Sequence, residues 1–360
     1  ERRYTVKTIP ENRFGGKWGR RAMAVGAIAL VTLVLVMMEN NILLSRNKYI
    51  YVLLCYIGIY AISTSGLDIL FGYTGQISFG HAGFFCIGAY GSVLLSHEEW
   101  GIAKLGLTPL PPILSILVVG FISAFIGALL AKPASKLVFH FLSLLTIAFN
   151  QIMYLIVANF SDLTNGFIGI TRVPPVKLVL FGTTLLDFTT IKSKYAYVYL
   201  VLFVLVVLLI IKQNIVHSKL GRSLIAIREN QTAANGCGIN IMKAKTMSFA
   251  ISAFYVGIAG ALLAHMMGFI SPDTFVQNTS VIFITMLLFG GSGNLLGPIL
   301  GALVITFVQE SFQSLQDYRM LIYGVFLLAV ILYQPTGLAG LGKTIGGLFG
   351  GKGGVSRGNA

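Results

Sequence analysis

The stretch GRSLIAIRENQTAANGCG, residues 221–238, is polar and helix-patterned and lies between two long apolar runs. Leu220, Leu224 and Ile227 recur at i, i+4 and i+7 and so share one stripe of a helix, while Arg222, Arg228, Glu229 and Asn230 spread over the remaining surface. Asn235-Gly236 supplies a helix stop. Complete removal of three such apolar side chains from water contributes about 5–9 kcal/mol as an upper bound, enough to seat the segment on a protein partner. An amphipathic helix of this kind also rests on lipid headgroups. Spacing alone leaves both readings open, and the rest of the chain must decide.

Composition places the flanking runs in a membrane. The chain has 360 residues, of which 56% are hydrophobic and only 11% charged, against roughly 25% charged in a soluble domain. Runs free of Asp, Glu, Lys and Arg cover residues 22–38, 49–67, 69–97, 105–131, 137–161, 195–211, 246–272, 274–309 and 320–342. Each has at least 17 residues and is long enough to cross a hydrocarbon core of about 30 Å. The run 274–309 holds 36 residues, which as one helix would reach about 54 Å. It must turn back, and Gly290-Gly291-Ser292-Gly293-Asn294 near its middle is the natural break. The expected fold is therefore all-α, a polytopic membrane helix bundle of about ten spans with Gly-rich broken segments.

A formal charge of +14 suggests nucleic acid at first sight, but in a chain this apolar the positive-inside rule accounts for it, and no nucleic-acid partner is expected. With a cytoplasmic N-terminus and ten spans, the inside segments hold Arg2, Arg3, Lys7, Arg13, Lys17, Arg20, Arg21, Lys132, Lys136, Lys212, Lys219, Arg222, Arg228, Lys243, Lys245, Lys343, Lys352 and Arg357, which are 18 of the 26 basic residues. Both termini and residues 221–238 then lie on the cytoplasmic side. The connections around His97-Glu98-Glu99-Trp100 and around Asp273 fall outside, with Lys192 and Lys194 as exceptions to the rule. Cys55, Cys86 and Cys237 lie in or between spans and imply no disulfide framework. The basic residues before 22–38 give that run a superficial likeness to a signal peptide, but Glu39-Asn40-Asn41 follows in place of a small-residue cleavage site, so a retained first span is expected. Residues 1–21 read as a basic cytoplasmic tail, 22–342 as the transmembrane domain with 212–245 as a cytoplasmic loop, and 343–360 as a Gly-rich cytoplasmic tail.

Residues 66–91, GLDILFGYTGQISFGHAGFFCIGAYG, crowd glycines at 72, 75, 80, 83, 88 and 91 into an apolar sequence. A helix facing only lipid gains nothing from them, whereas one that meets another backbone closely, or unwinds along a cavity, needs them. This is the first candidate for a transport path, with Gly75, Gln76, Ser78, Gly80, His81 and Gly83 as path lining or close packing. For His81, substrate contact and a hydrogen bond that fixes helix packing both fit. Asp68 would cost about 2.5–3.5 kcal/mol at a helix centre and is expected at the cytoplasmic membrane edge. The polar groups of His140, Asn150 and Gln151 are expected to face the bundle. Residues 162–194 form the longest external connection, either a partner surface or an ordinary folded loop. Gly257 and Gly260, and then Gly297 and Gly301, are spaced for close helix crossing. The interruption that includes Gly290, Gly291, Gly297 and Gly301 lies in the opposite half of the chain from that at 72–91, as in transporters built from paired broken segments.

Residues 337–344, GLAGLGKT, match the phosphate-binding pattern G-x-x-x-x-G-K-[ST]. That loop works when it follows a buried strand and opens a helix in an α/β domain. Here a membrane span precedes it and only 16 residues follow Thr344, so a chance match is expected. Neither an H-E-x-x-H pattern nor a metal-ligand cluster occurs, and no catalytic residue, metal site or cofactor is assigned to this chain.

GYTGQISFGHAGFFCIGAYG at 72–91, GRSLIAIRENQTAANGCGIN at 221–240, FGGSGNLLGPILGA at 289–302 and YQPTGLAG at 333–340 together resemble the permease subunits of branched-chain amino-acid ABC importers, the LivM type in particular. The resemblance covers roughly residues 66–95 and 217–342, and urea and short-amide permeases share much of the pattern. It implies a bacterial inner-membrane complex of two permease subunits, two cytoplasmic ABC ATPases that bind ATP and Mg, and an external substrate-binding protein. The family's coupling helix falls on Gly221, Arg222, Leu224, Ile227, Arg228, Glu229, Asn230, Ala233, Ala234 and Gly238. Ala233 and Ala234 imply close approach to the ATPase, and Arg228 and Glu229 charge-assisted contacts there. Asn235-Gly236-Cys237 departs from the family pattern as a flexible end before Gly238. The rival class, an ion-coupled secondary transporter, would place titratable groups deep in the membrane, where only His81, His140 and His265 are candidates. A passive channel is a further reading, because Gly-rich broken helices line either kind of path.

Overall fold

Helix α1, Tyr49–Thr74, continues past the end of its charge-free run and carries Asp68 inside the helix. Gly75 then takes a left-handed conformation (φ 73°), which a side chain would resist, and the chain runs without regular structure until α2 begins at His81 and continues to Ser96. The Gly-rich break is thus confined to residues 75–80, shorter than the whole of 66–91. The computed structural model describes residues 49–106, 108–134, 139–180, 183–187 and 193–311, with the single positions 324 and 328. The expected first span at 22–38, the expected last span at 320–342 apart from those two positions, both tails and the phosphate-loop match lie outside the described residues.

Apart from short helical turns at Gly101–Leu105, Ser161–Thr164, Gly166–Ile168 and Pro272–Phe275, the other helices among the described residues are α3 Pro112–Ala134, α4 Phe139–Asn159, α5 Ser193–His217, α6 Lys219–Glu229, α7 Gln231–Gly236, α8 Ile241–Met267, α9 Gln277–Gly290 and α10 Gly297–Ser311. Five of them, α1, α3, α4, α5 and α8, are long and apolar enough to cross a membrane, and α2, α9 and α10 are shorter apolar helices. The 36-residue run at 274–309 does turn back. Its two helices of 14 and 15 residues are separated by a break in which Gly291 and Gly293 have φ of 99° and 76°.

Helix α8 lies at the centre, with 78% of its apolar stretch buried against 28% for α4. Small residues allow this. A Cβ at Gly260 would fall on the carbonyl oxygen of Phe85 in α2, and one at Gly88 would fall on that of Gly257. Gly257 also packs on Ser123 of α3, and Gly127 of α3 packs on Ala253. Helices α9 and α10 cross in the same way, Gly290 against Gly297 and Gly301 against the carbonyl of Met286. These approaches bring backbones together where lipid offers no hydrophobic drive between helices. Outward-facing Phe121 and Phe125 on α3, Phe141 and Leu144 on α4 and Phe203 on α5 form an apolar exterior suited to lipid or another membrane chain.

The connection after α4 contains short strands that the sequence does not announce. β1, Ile170–Thr171, pairs antiparallel with β4, Phe269–Ile270, and β2, Lys177–Leu180, pairs with β3, Thr183–Asp187. They lie in connections between membrane helices, so the bundle itself is all-α. His265 ties the same end together, with Nε2 2.7 Å from Ser92 Oγ and Nδ1 2.7 Å from the Pro174 carbonyl oxygen.

Candidate functional site

The polar segment at 221–238 forms two helices, correcting the expectation of one. Ser218 caps α6, accepting from the Gly221 amide at 3.4 Å. Asn230 is extended (φ −158°): its N–H closes α6 on the Ala226 carbonyl, and its Oδ1 caps α7 by accepting from the Ala233 amide at 3.0 Å. An Asn at that junction stops one helix and starts the next. Helix α7 ends at Gly236, and Gly238 (φ 79°) has open space around it.

The apolar stripe is seated on this chain. Leu224 and Ile227 are each 1% exposed, Leu220 is half-buried, and α6 packs against α5 and α8. Their burial therefore holds the segment to its own bundle, and they are not the surface offered to another protein. Ala234 is also buried, and Lys245 Nζ reaches Gln231 Oε1 at 3.2 Å, tying α7 to α8. What faces outward is Arg222, Arg228, Glu229, Asn230 and Ala233.

Arg228 nevertheless reaches inward. Its Nη1 donates to the carbonyl of Gly72 in the last turn of α1, and its stem lies over Gly75, where a Cβ would stand 3.2 Å from Arg228 Cγ. A cation at a helix C-terminus is favoured by the dipole and satisfies a carbonyl that the helix leaves free. Beside this contact, the Gly293 amide donates to Asp68 Oδ1 at 2.7 Å, and Tyr73 donates through its hydroxyl to the Gly293 carbonyl at 3.2 Å. The other carboxylate oxygen, Asp68 Oδ2, pairs with Lys212 Nζ of α5 at 2.8 Å, both side chains being fully buried. Asp68, expected near the membrane edge, is an enclosed, paired carboxylate, and Lys212, expected in the loop 212–245, is a buried residue of α5, which continues to His217.

The break at 75–80 is held by side chains from α4 and α9. Thr146 Oγ1 accepts from the Phe79 amide at 3.0 Å, Gln277 Nε2 donates to the Phe79 carbonyl at 3.0 Å, and Ser280 Oγ accepts from the Ala82 amide at 2.8 Å. Asn150 Nδ2 donates to Gln277 Oε1 at 2.9 Å and completes the set. Backbone that leaves a helix inside a membrane must find such partners. Gly80 packs on Thr146 and Gly83 on Phe149, while Gln76 and Ser78 are buried nearby in sequence. His81 Nε2 lies 2.7 Å from Ser252 Oγ of α8. Gly290, Gly291, Gly297 and Gly301 gather at the α9–α10 crossing. Gln151, expected to face the bundle, is exposed on the outer side of α4, and the side chain of His140 lies outside the described residues.

Sequence reasoning missed Lys212, Thr146, Gln277, Ser280 and Ser252. Thr146 with Asn150, and Gln277 with Ser280, do stand at helical spacings in apolar runs, a signal of one polar face turned inward. Lys212 carried no such signal, since it directly follows an apolar run and reads as its cytoplasmic end.

The broken helices, the capped two-helix segment and the apolar exterior lie within the part of the chain, residues 49–331, that matches the family model for the permease component of the branched-chain amino acid transport system. The chain belongs to that family. It is similar to the high-affinity branched-chain amino acid transport system permease protein LivM of Salmonella typhimurium, at 31% identity over 78% of this chain and 67% of that one. LivM of Escherichia coli is 30% identical over the same shares. A probable LivM of Methanocaldococcus jannaschii is 25% identical over 80% of this chain and 92% of its own length. No solved structure matches. This branched-chain amino acid permease family member is a multi-pass membrane protein, and its relatives are permease subunits.

Proposed function

We propose that the chain is the transmembrane permease subunit of an ATP-binding-cassette importer that moves branched-chain or related hydrophobic amino acids inward. Of two partner ATPases, which bind ATP and Mg, one docks on the outward face of α6 and α7 and the other on the second permease subunit. A second permease subunit covers part of the apolar exterior, and an external substrate-binding protein delivers the cargo at the end that carries β1 and β4. Family membership supports the transport class. The observation that carries the coupling role is the Arg228 contact to Gly72, which ties the exposed segment directly to the end of a broken membrane helix.

The clustering of Arg222, Arg228, Lys219 and Lys243 at the α6–α8 end supports a cytoplasmic position for that end, and the basic residues of 1–21 and 343–360 support the same side for both termini. A push on α6 is then delivered to α1 at Gly72, next to both helix breaks, and the path alternates sides as these helices tilt. Glu229→Arg tests this because Glu229 is exposed and its replacement leaves the buried stripe intact. In the assembled complex, leucine-stimulated ATP hydrolysis falls about tenfold, the loss that one charge-assisted contact corresponds to, while membrane insertion is unchanged. Normal stimulation removes the coupling role. Uptake that survives collapse of the proton gradient and stops on ATP depletion separates this reading from ion-coupled transport, and leucine against urea separates the two cargo classes.

A further inference from the structure

We infer that Asp68 and Lys212 form an intramembrane latch that sets the position of the α9–α10 break, and that coupling runs through its opening and closing. The inference rests on the coupling reading given above and names the residues through which α6 acts. Asp68 uses its two oxygens for different tasks. Oδ1 holds the amide of Gly293 at 2.7 Å, and Oδ2 holds Lys212 at 2.8 Å, so one carboxylate joins α1, α5 and the break. Arg228 completes the chain of contacts to the surface. It bonds the Gly72 carbonyl, and its Nη1 lies 3.7 Å from the Cβ position of Gly293.

Stability alone does not account for this arrangement. A buried ion pair gives little net stability compared with apolar side chains of similar volume. Lys212 Nζ makes no hydrogen bond other than this pairing among the described residues, although an ammonium has three donors to satisfy. What an apolar pair could not do is hold a free amide in a break whose glycines have φ of 99° and 76°. The position of Gly72 adds an independent observation. A Cβ there would fall against Asp68 Oδ1 and 2.7 Å from the Gly293 amide nitrogen, so the absence of a side chain at 72 is what lets the latch close. Asp68 and Lys212 are thus positioning residues, acting on transport through Gly293.

Two variants of the complete complex, assembled with its ATPases and binding protein, test the latch. Gly72→Ala adds one methyl group between Asp68 and Gly293 and suits a helix interior better than glycine. The double exchange Asp68→Lys with Lys212→Asp restores opposite charges but puts at position 68 an ammonium, which cannot accept from the Gly293 amide. Both are expected to assemble and to lose leucine transported per ATP hydrolysed by at least about tenfold, the loss of one charge-assisted hydrogen bond, while hydrolysis itself continues. If either variant assembles and transports as much leucine per ATP as the parent, the latch is overturned. If the parent complex itself shows no leucine-stimulated hydrolysis, the underlying coupling reading has failed first, so the two failures are distinguishable. Should the exchange variant not assemble, Gly72→Ala decides alone.

Discussion

Replacing Gly260 with Val tests the architecture that positions the site. The Cβ of Val would land on the carbonyl oxygen of Phe85 and 3.1 Å from the amide nitrogen of Ala89. Both obstacles are backbone of α2, and both residues are fully buried, so no rotamer change relieves the clash and α2 must move away from α8. Overpacking of a core costs about 1–3 kcal/mol, and a backbone obstacle places Gly260→Val at the upper end. Helix propensity returns only about 0.4 kcal/mol on exchanging glycine for valine. The net loss is about 2.5 kcal/mol, and widening the crossing also disturbs the Gly88–Gly257 approach on the same face. The assay is thermal inactivation of the purified protein in lipid nanodiscs, followed by the monodisperse fraction remaining after heating. A midpoint at or above that of the parent would refute the close α2–α8 crossing.

Leu224→Ala combined with Ile227→Ala removes the side chains that seat α6, at about 2–5 kcal/mol each for a well-packed site. The segment is expected to detach locally and become sensitive to trypsin at Arg222 and Arg228, and unchanged protection would contradict its docking on the bundle. Gly236→Ala is the opposite case: nothing lies within 4 Å of its Cβ position, so limited proteolysis should show equal or greater protection, from a gain of about 0.4–1 kcal/mol. Ser280→Ala leaves the Ala82 amide without its 2.8 Å acceptor, a loss of about 1–3 kcal/mol that hydrogen exchange reports as faster opening at the start of α2.

Spans were legible because charge-free runs of membrane length have few other uses, and the turn-back at 290–294 was legible because a 36-residue run exceeds the membrane and holds its glycines in the middle. The stripe of Leu224 and Ile227 was legible as amphipathic, but periodicity shows only that a face is buried, not against what. Hence a surface first assigned to a partner proved to be packing within the chain. The break at Asn230 was not read because Asn is an ordinary polar residue on an exposed helix face, and its capping role follows from its φ of −158°. Asp68 and Lys212 stand far apart in sequence, so Asp68 reads as an isolated charge at the membrane edge and Lys212 as a loop cation. Only their meeting at 2.8 Å makes burial tolerable. The short strands of the connections after α4 and α8 were equally illegible, since two-residue pairings such as β1 with β4 carry no alternation pattern.

The most direct test of the central claim is reconstitution of this chain with its cognate ATPases, second permease and binding protein, followed by ATP hydrolysis measured with leucine and with urea. A stable complex whose hydrolysis rises with leucine, and not with urea, is the expected result. A chain that binds no ATPase would contradict the account, because the outward face of α6 and α7 would then have no partner to couple.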